Sequence, residues 1–144
     1  MKINQAGLDL IKQAESLQLK AYRCPAGILT IGYGHTGPDV HSGMVINKEK
    51  AEQLLKQNVE EFEEGVTHLV NDVKTTDNQF SAMVSLAFNI GLGNFKKSSV
   101  FSFHRQGKLN SAAESFNMWN KGGGKVLDGL VKRRKDESKL YLTD

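Results

Sequence analysis

Hydrophobic residues recur at helical spacing near the start of the chain. Leu8, Ile11 and Ala14 form one apolar stripe, which predicts a first helix with its buried face on these residues. Asn4 precedes the stripe at a position that favours an N-cap residue, and the helix is predicted to end near Glu15. The stripe therefore places Glu15 at a helix exit, next to packed apolar surface.

The stretch from about residue 17 to 46 loses the helical period. Repeated glycines, together with Gly37-Pro38 and Ser42-Gly43, indicate tight turns. Ile28, Thr30 and Tyr33 lie between the glycines and favour pleated structure. The pattern predicts a small, tightly turned β element directly after Glu15, and a carboxylate facing such an element suggests one wall of a cleft.

A second helix is predicted to open at Asn47, and its apolar face continues to Phe62. The acidic run at residues 60–64 reads as a solvated face rather than a metal site, because no His or Cys lies at ligand spacing with it. Gly65 is expected to bend or interrupt this helix, since the apolar pattern beyond it is less regular. This region should connect a small β lobe to a helical lobe.

The second half of the chain reads as helical. Thr76 and Gln79 form a capping box that opens the most hydrophobic helix, predicted to be buried and to stop at Gly91 and Gly93. The remaining predicted features are a short helix over 97–106, a second capping box at Ser111 and Glu114, a glycine loop at 122–124 and a last helix from about Gly129 to Leu142. The basic run at 132–135 is read as a solvated face. Nucleic acid is not an expected partner, because no aromatic residues interleave with these charges.

Composition narrows the class of protein. A chain of 144 residues fits one domain, residues 1–144, and a net charge of +3 suits an anionic polymer. A single cysteine excludes an intramolecular disulfide. Charged residues interrupt the N-terminal apolar pattern, so neither a signal peptide nor stable membrane insertion is expected.

Glu15 is followed by eight residues, Cys24, five residues and Thr30, and then by Ile-Gly-Tyr-Gly-His-Thr-Gly. This arrangement resembles the catalytic signature of the phage-type lysozymes (glycoside hydrolase family 24), in which Glu, eight residues, Asp or Cys, five residues and Thr follow in order. Further segments resemble endolysins of that family in the same order: residues 88–91, Trp119, residues 122–125 and residues 129–134. The resemblance covers nearly the whole chain.

The resemblance implies an α+β, lysozyme-like fold. In it a small β-containing lobe (about residues 16–62) and a larger helical lobe (about residues 1–15 and 75–144) meet at an active-site cleft. It implies hydrolysis of the β-1,4 bond between N-acetylmuramic acid and N-acetylglucosamine in peptidoglycan, with Glu15 as general acid, Cys24 as base or nucleophile and Thr30 as the third member. It further implies a substrate-binding set: Tyr33, His35, Thr36, Phe88, Asn89 and Ser98.

The family also implies how such a protein works in the host cell. We expect a monomer without metal or cofactor that acts on the wall, moving from host cytoplasm to periplasm on lysis. Its release would depend on a separate pore-forming holin. The family reading of His35 is a buried histidine tied to an acidic partner, for which Asp72 is the candidate in this sequence.

The chemistry of Glu15 favours one role, whereas that of Cys24 leaves two roles open. Apolar surroundings disfavour the charged form of a carboxyl group, which suits Glu15 to act as an acid. A free thiol is only slightly ionised at neutral pH, yet a thiolate is intrinsically nucleophilic, so Cys24 could activate water or attack the sugar. Arg133 or Arg134 reaching across to steady Glu15 is an additional hypothesis.

Two other classes of function stay open at this point. One is a wall-binding module that has lost catalysis because Cys24 replaces Asp. The other is a cysteine amidase or peptidase that uses Cys24 with His35 or His41 on the wall peptide.

Overall fold

The computed structural model describes residues 1–144 and contains seven α-helices, one short 3₁₀ helix and two small antiparallel sheets. The helices are α1 (Gln5–Glu15), α2 (Lys48–Val70), α3 (Asp77–Ile90), α4 (Leu92–Lys97), α5 (Ser99–Arg105), α6 (Leu109–Ser115) and α7 (Asp128–Tyr141). The strands are β1 (Gln18–Arg23), β2 (Leu29–Gly32), β3 (Lys121–Gly122) and β4 (Lys125–Val126), and the 3₁₀ helix is Phe116–Met118. The chain divides into two compact units, Lys12–Glu61 and Met1–Ile11 with Phe62–Asp144. None of the helices is both long and apolar enough to cross a bilayer.

The unit Lys12–Glu61 contains the predicted β element. Strands β1 and β2 pair antiparallel, with an irregularity in register between Gln18 and Tyr22. On the other side of β1, the Ala21 N–H donates to Met44 O at 2.9 Å. A small apolar core closes this unit and consists of Ile31, Val40 and Leu54, with Ala21, Leu29, Met44 and Ile46 packed around it.

Helix α2 is continuous through Gly65, so the expected interruption there is wrong. The glycine serves packing instead, because a Cβ at this position would lie only 2.6 Å from Leu92 Cδ1. The solvated reading of the acidic run is also wrong for Glu63, which is buried. Its Oε2 accepts a 2.8 Å hydrogen bond from the Ile3 N–H, which links two segments far apart in sequence.

Helix α3 opens at the predicted capping box. The Gln79 N–H donates to Thr76 Oγ1 at 3.1 Å, and the Thr76 N–H donates to Gln79 Oε1 at 2.9 Å. Nine consecutive residues of α3, 79–87, are buried, which confirms its central place in the larger unit. The helix ends before Gly91, whose φ is +93°, whereas Gly93 lies inside α4 and stops nothing.

Two local predictions in the second half are wrong. Helix α6 begins at Leu109, so Ser111 lies inside it, and its carbonyl accepts a hydrogen bond from Ser115 Oγ. The glycine segment is a hairpin rather than a loop, because β3 and β4 pair across Gly123 and Gly124. Both turn glycines have positive φ (+60° and +81°), which is the backbone that a two-residue hairpin turn requires.

The basic run of α7 is partly buried, which also contradicts its solvated reading. Arg134 is fully buried and Arg133 nearly so. One turn further on, the buried Glu137 faces both: Arg134 Nε lies 2.7 Å from Glu137 Oε1, and Arg133 Nε lies 3.3 Å from Oε2. Ser85 Oγ also donates to Glu137 Oε2, which ties α7 to α3. Helix periodicity makes this burial possible, because residues three and four apart share a face.

Candidate active site

Glu15 is the last residue of α1 and is half-buried. The helix stops there because Ser16 adopts a left-handed backbone (φ +58°), while its N–H still donates to Lys12 O at 3.1 Å. For a residue other than glycine this backbone costs roughly 1–2 kcal/mol. The turn fixes the point at which the Glu15 side chain leaves the helix.

The Glu15 carboxylate lies against the backbone of a second tight turn. A Cβ built on Gly34 would stand only 2.9 Å from Glu15 Oε2, and Gly34 itself has φ +79°. Only glycine satisfies both conditions, since it lacks a Cβ and tolerates positive φ. Gly34 is therefore part of the wall that holds the carboxylate. The sequence predicted tight turns at the glycines but did not indicate which glycine contacts Glu15.

Cys24 sits at the start of the turn that joins β1 to β2. The Cys24 N–H donates to Ile28 O at 3.0 Å, and the Gly27 N–H donates to Cys24 O at 2.8 Å. Hydrogen bonding from the Ile28 backbone lowers the pKa of the Cys24 thiol, with further lowering by the Ala26 backbone and the Thr30 hydroxyl. The turn thus favours the thiolate, which is the form that acts as base or nucleophile.

Thr30 lies on β2 and is buried. Its hydroxyl donates to Ile28 O at 3.0 Å and also lies close enough to lower the pKa of the Cys24 thiol. Thr30 pairs in register with Tyr22, which is 38% exposed. Directly paired residues share a face of the sheet, so Tyr22 belongs to the face of Thr30. Tyr22 stands two residues before Cys24, a spacing that places both on one face of a strand. The sequence reasoning did not use this signal and left Tyr22 out of the candidate site.

His35 is tied to Asp39, so the candidate partner Asp72 is wrong. His35 Nε2 lies 3.0 and 3.1 Å from the two carboxylate oxygens of Asp39, and the Asn58 side-chain amide donates to His35 Nδ1 at 2.9 Å. The hydrogen bond from His35 lowers the pKa of Asp39. Asp72 instead pairs with Arg105 at 3.2 Å. With both ring nitrogens engaged, His35 is poorly placed to activate Cys24 as an amidase would require.

The other predicted binding residues of this unit differ in exposure. Tyr33 is buried, and the Lys12 Nζ stands 5.8 Å from the centroid of its ring. Thr36 is exposed. Of these two, only Thr36 presents its side chain freely to solvent.

The remaining predicted binding residues lie in the larger unit. Phe88 is half-buried and packs edge-on against Phe62, with ring centroids 5.2 Å apart, while Asn89 is exposed. Ser98 is buried and caps α5: its Oγ accepts from the Phe101 N–H at 3.2 Å and donates to Phe95 O at 2.7 Å. Both of these hydrogen bonds of the Ser98 hydroxyl are therefore made to backbone atoms.

Comparison with known proteins assigns the class and then the family. A solved P22 lysozyme mutant superposes with a TM-score of 0.90 at 41% identity, covering 99% of both chains, so the fold is α+β and lysozyme-like, as predicted. The Phage lysozyme family model matches residues 12–137. The endolysin of Salmonella phage P22 is 40% identical over 99% of both chains. The chain belongs to the phage lysozyme family, which confirms the resemblance seen in the sequence.

Relatives from Bacillus phages are more similar in sequence but longer. The endolysin of Bacillus phage B103 is 50% identical over 99% of this chain. The chain spans about half the length of that protein, since the match covers 55% of it.

Proposed function

We propose that this chain is a muramidase: it hydrolyses the β-1,4 bond between N-acetylmuramic acid and N-acetylglucosamine in peptidoglycan, as an endolysin. The observation that carries the proposal is the constellation within the unit Lys12–Glu61. There a carboxylate rests against the Gly34 backbone, and a thiol with a lowered pKa occupies the other position of the lysozyme motif. Membership of the phage lysozyme family supports the same reaction.

Glu15 acts first in the proposed mechanism. Cleavage of a glycosidic bond needs an acid that protonates the leaving oxygen, and a second group on the opposite face of the sugar. Glu15 supplies the proton. A positioned acid of this kind typically contributes roughly 100- to 10,000-fold in rate.

Cys24 supplies the second group as a thiolate. The Ile28 backbone and the Thr30 hydroxyl stabilise the negative charge on sulfur, which offsets the weak acidity of an ordinary thiol. As a base the thiolate takes a proton from the attacking water. As a nucleophile it forms a glycosyl intermediate that water then hydrolyses. In both roles, the Thr30 hydroxyl helps to stabilise the Cys24 thiolate.

Binding and cellular context complete the proposal. The exposed Thr36, Tyr22 and Asn89 are candidates to contact sugar or peptide groups, and the net charge of +3 favours an anionic wall. We propose that the protein works as a monomer. It would accumulate in the host cytoplasm and reach the wall at lysis through a separate holin.

The test is release of reducing sugars from purified peptidoglycan by wild type, Glu15→Gln and Cys24→Ala, with Glu49→Gln as a matched control. Glu49 is an exposed carboxylate in the same compact unit. We expect release by wild type and by the control, and a loss of about 100-fold or more in the other two variants. Binding without any release by wild type would identify a wall-binding module. New free amines without reducing sugars would identify an amidase or peptidase.

A further inference from the structure

The turn at residues 31–35 brings the Gly34 backbone against the Glu15 carboxylate. The position of the turn therefore determines the position of the carboxylate. One arm of the turn is anchored by Ile31, which is fully buried in the small apolar core. The turn is closed by reciprocal backbone hydrogen bonds, Ile31 N–H to His35 O at 2.9 Å and His35 N–H to Ile31 O at 2.8 Å. Gly34, the residue that touches Glu15, lies between these two anchor points.

The second anchor is the His35 ring. Asn58 lies on α2 and donates to His35 Nδ1, which leaves Nε2 to carry the proton and donate to Asp39. The His35 side chain is 11% exposed, whereas that of Asp39 is 55% exposed. The hydrogen bond to Asn58 is therefore the better shielded of the two and joins the turn to a rigid helix.

We propose that His35 is a positioning residue: through Asn58 it fixes the turn, and through the Gly34 backbone the turn holds the Glu15 carboxylate in its productive orientation. The proposal rests on the proposed function, in which Glu15 is the general acid. It assigns to His35 an action on Glu15 rather than on substrate. The physical reason is that catalytic groups tolerate little displacement, and a misplacement of about 1 Å can cost about 100-fold in rate.

The experiment compares His35→Ala, His35→Asn and a control, His41→Ala, in the full chain. His35→Asn keeps an oxygen close to the place of Nδ1, where it can still accept from Asn58. His41 is an exposed imidazole of the same compact unit. For each variant we would measure kcat, KM and the NMR chemical shift of the Glu15 side-chain carboxyl carbon. The shift reports on Glu15 whether or not the protein has activity.

We expect His35→Ala to lower kcat by about 10- to 100-fold with KM within about twofold, and to move the Glu15 carboxyl signal. His35→Asn should restore most of kcat and return the signal toward its wild-type position. If His35→Ala does not fold, Asn58→Leu replaces it, because that variant removes the donor and leaves the ring. An unchanged Glu15 signal together with unchanged kcat in the folded protein would overturn the proposal.

The two proposals can fail separately. A wild type that releases no reducing sugar refutes the muramidase assignment, yet a Glu15 signal that moves in His35→Ala and returns in His35→Asn still supports the positioning. Conversely, active wild type with kcat and signal insensitive to His35 leaves the muramidase and removes the positioning role.

Discussion

Replacing Gly34 by alanine tests whether contact with the turn backbone controls the Glu15 carboxylate. The new Cβ would stand 2.9 Å from Glu15 Oε2, while an ordinary contact between these atoms begins near 3.4 Å. The oxygen must therefore retreat by about half an ångström. Scaled from a loss of about 100-fold per ångström, this retreat predicts a fall in kcat of about 10-fold.

The same substitution also strains the backbone, and a matched glycine separates the two effects. Gly43 lies in the same unit with φ +83°, close to the +79° of Gly34, but a Cβ there meets nothing within 4 Å. Both Gly34→Ala and Gly43→Ala should lower the free energy of unfolding by about 1–2 kcal/mol, because both place an L side chain in the left-handed region.

The assay is reducing-sugar release below the unfolding transition, with stability measured by urea denaturation. Only Gly34→Ala should lose kcat beyond the fraction of protein that is unfolded. Equal kcat in the two variants, corrected for folded protein, would refute the idea that the Gly34 backbone positions Glu15. If Gly34→Ala lowers the free energy of unfolding and Gly43→Ala does not, the effect at Gly34 reflects low stability of its turn.

Two further predictions concern the larger unit. Glu137→Gln should lower the free energy of unfolding by about 3–5 kcal/mol in urea denaturation, because Arg134 is then left buried without its carboxylate. Asp136→Asn is the control: it breaks only an exposed pair, should cost about 1 kcal/mol or less, and an equal cost in both would contradict the reasoning. Burial lowers the pKa of His104, so the folded state favours the neutral ring. The free energy of unfolding should therefore keep its full value above pH about 6.5, the ordinary pKa of histidine, and fall as the pH drops below it. His104→Gln should flatten that fall in unfolding free energy measured across pH, and an unchanged slope would show that other groups cause it.

Sequence reasoning succeeded where the signal is local. Thr76 and Gln79 stand three residues apart, and their reciprocal hydrogen bonds need nothing from the rest of the fold. The motif that places Glu15, Cys24 and Thr30 also lies in one short segment, and the structure puts these residues in one compact unit. The family assignment followed from such ordered local motifs.

It failed where a residue's environment depends on distant partners. Asn58 lies 23 residues from His35, and only the register of α2 brings its amide to the ring. Arg134 was read as solvated because four basic residues in a row are usually exposed, although Glu137 at helical spacing was a visible signal. The second capping box failed because its spacing recurs by chance inside helices, as it does at Ser111 in α6.

The discontinuous make-up of the larger unit has a consequence for synthesis. A ribosome completes the segment Lys12–Glu61, which holds Glu15, Cys24 and Thr30, before it has delivered the last helix of the other unit. The Ile3 and Asn4 amides must wait for Glu63 and Ser81, which emerge 60 and 77 residues later. A nonsense codon in α7 at or before residue 137 would remove Glu137 and leave Glu15, Cys24 and Thr30 in place, so it should abolish folding while sparing every residue of the proposed chemistry.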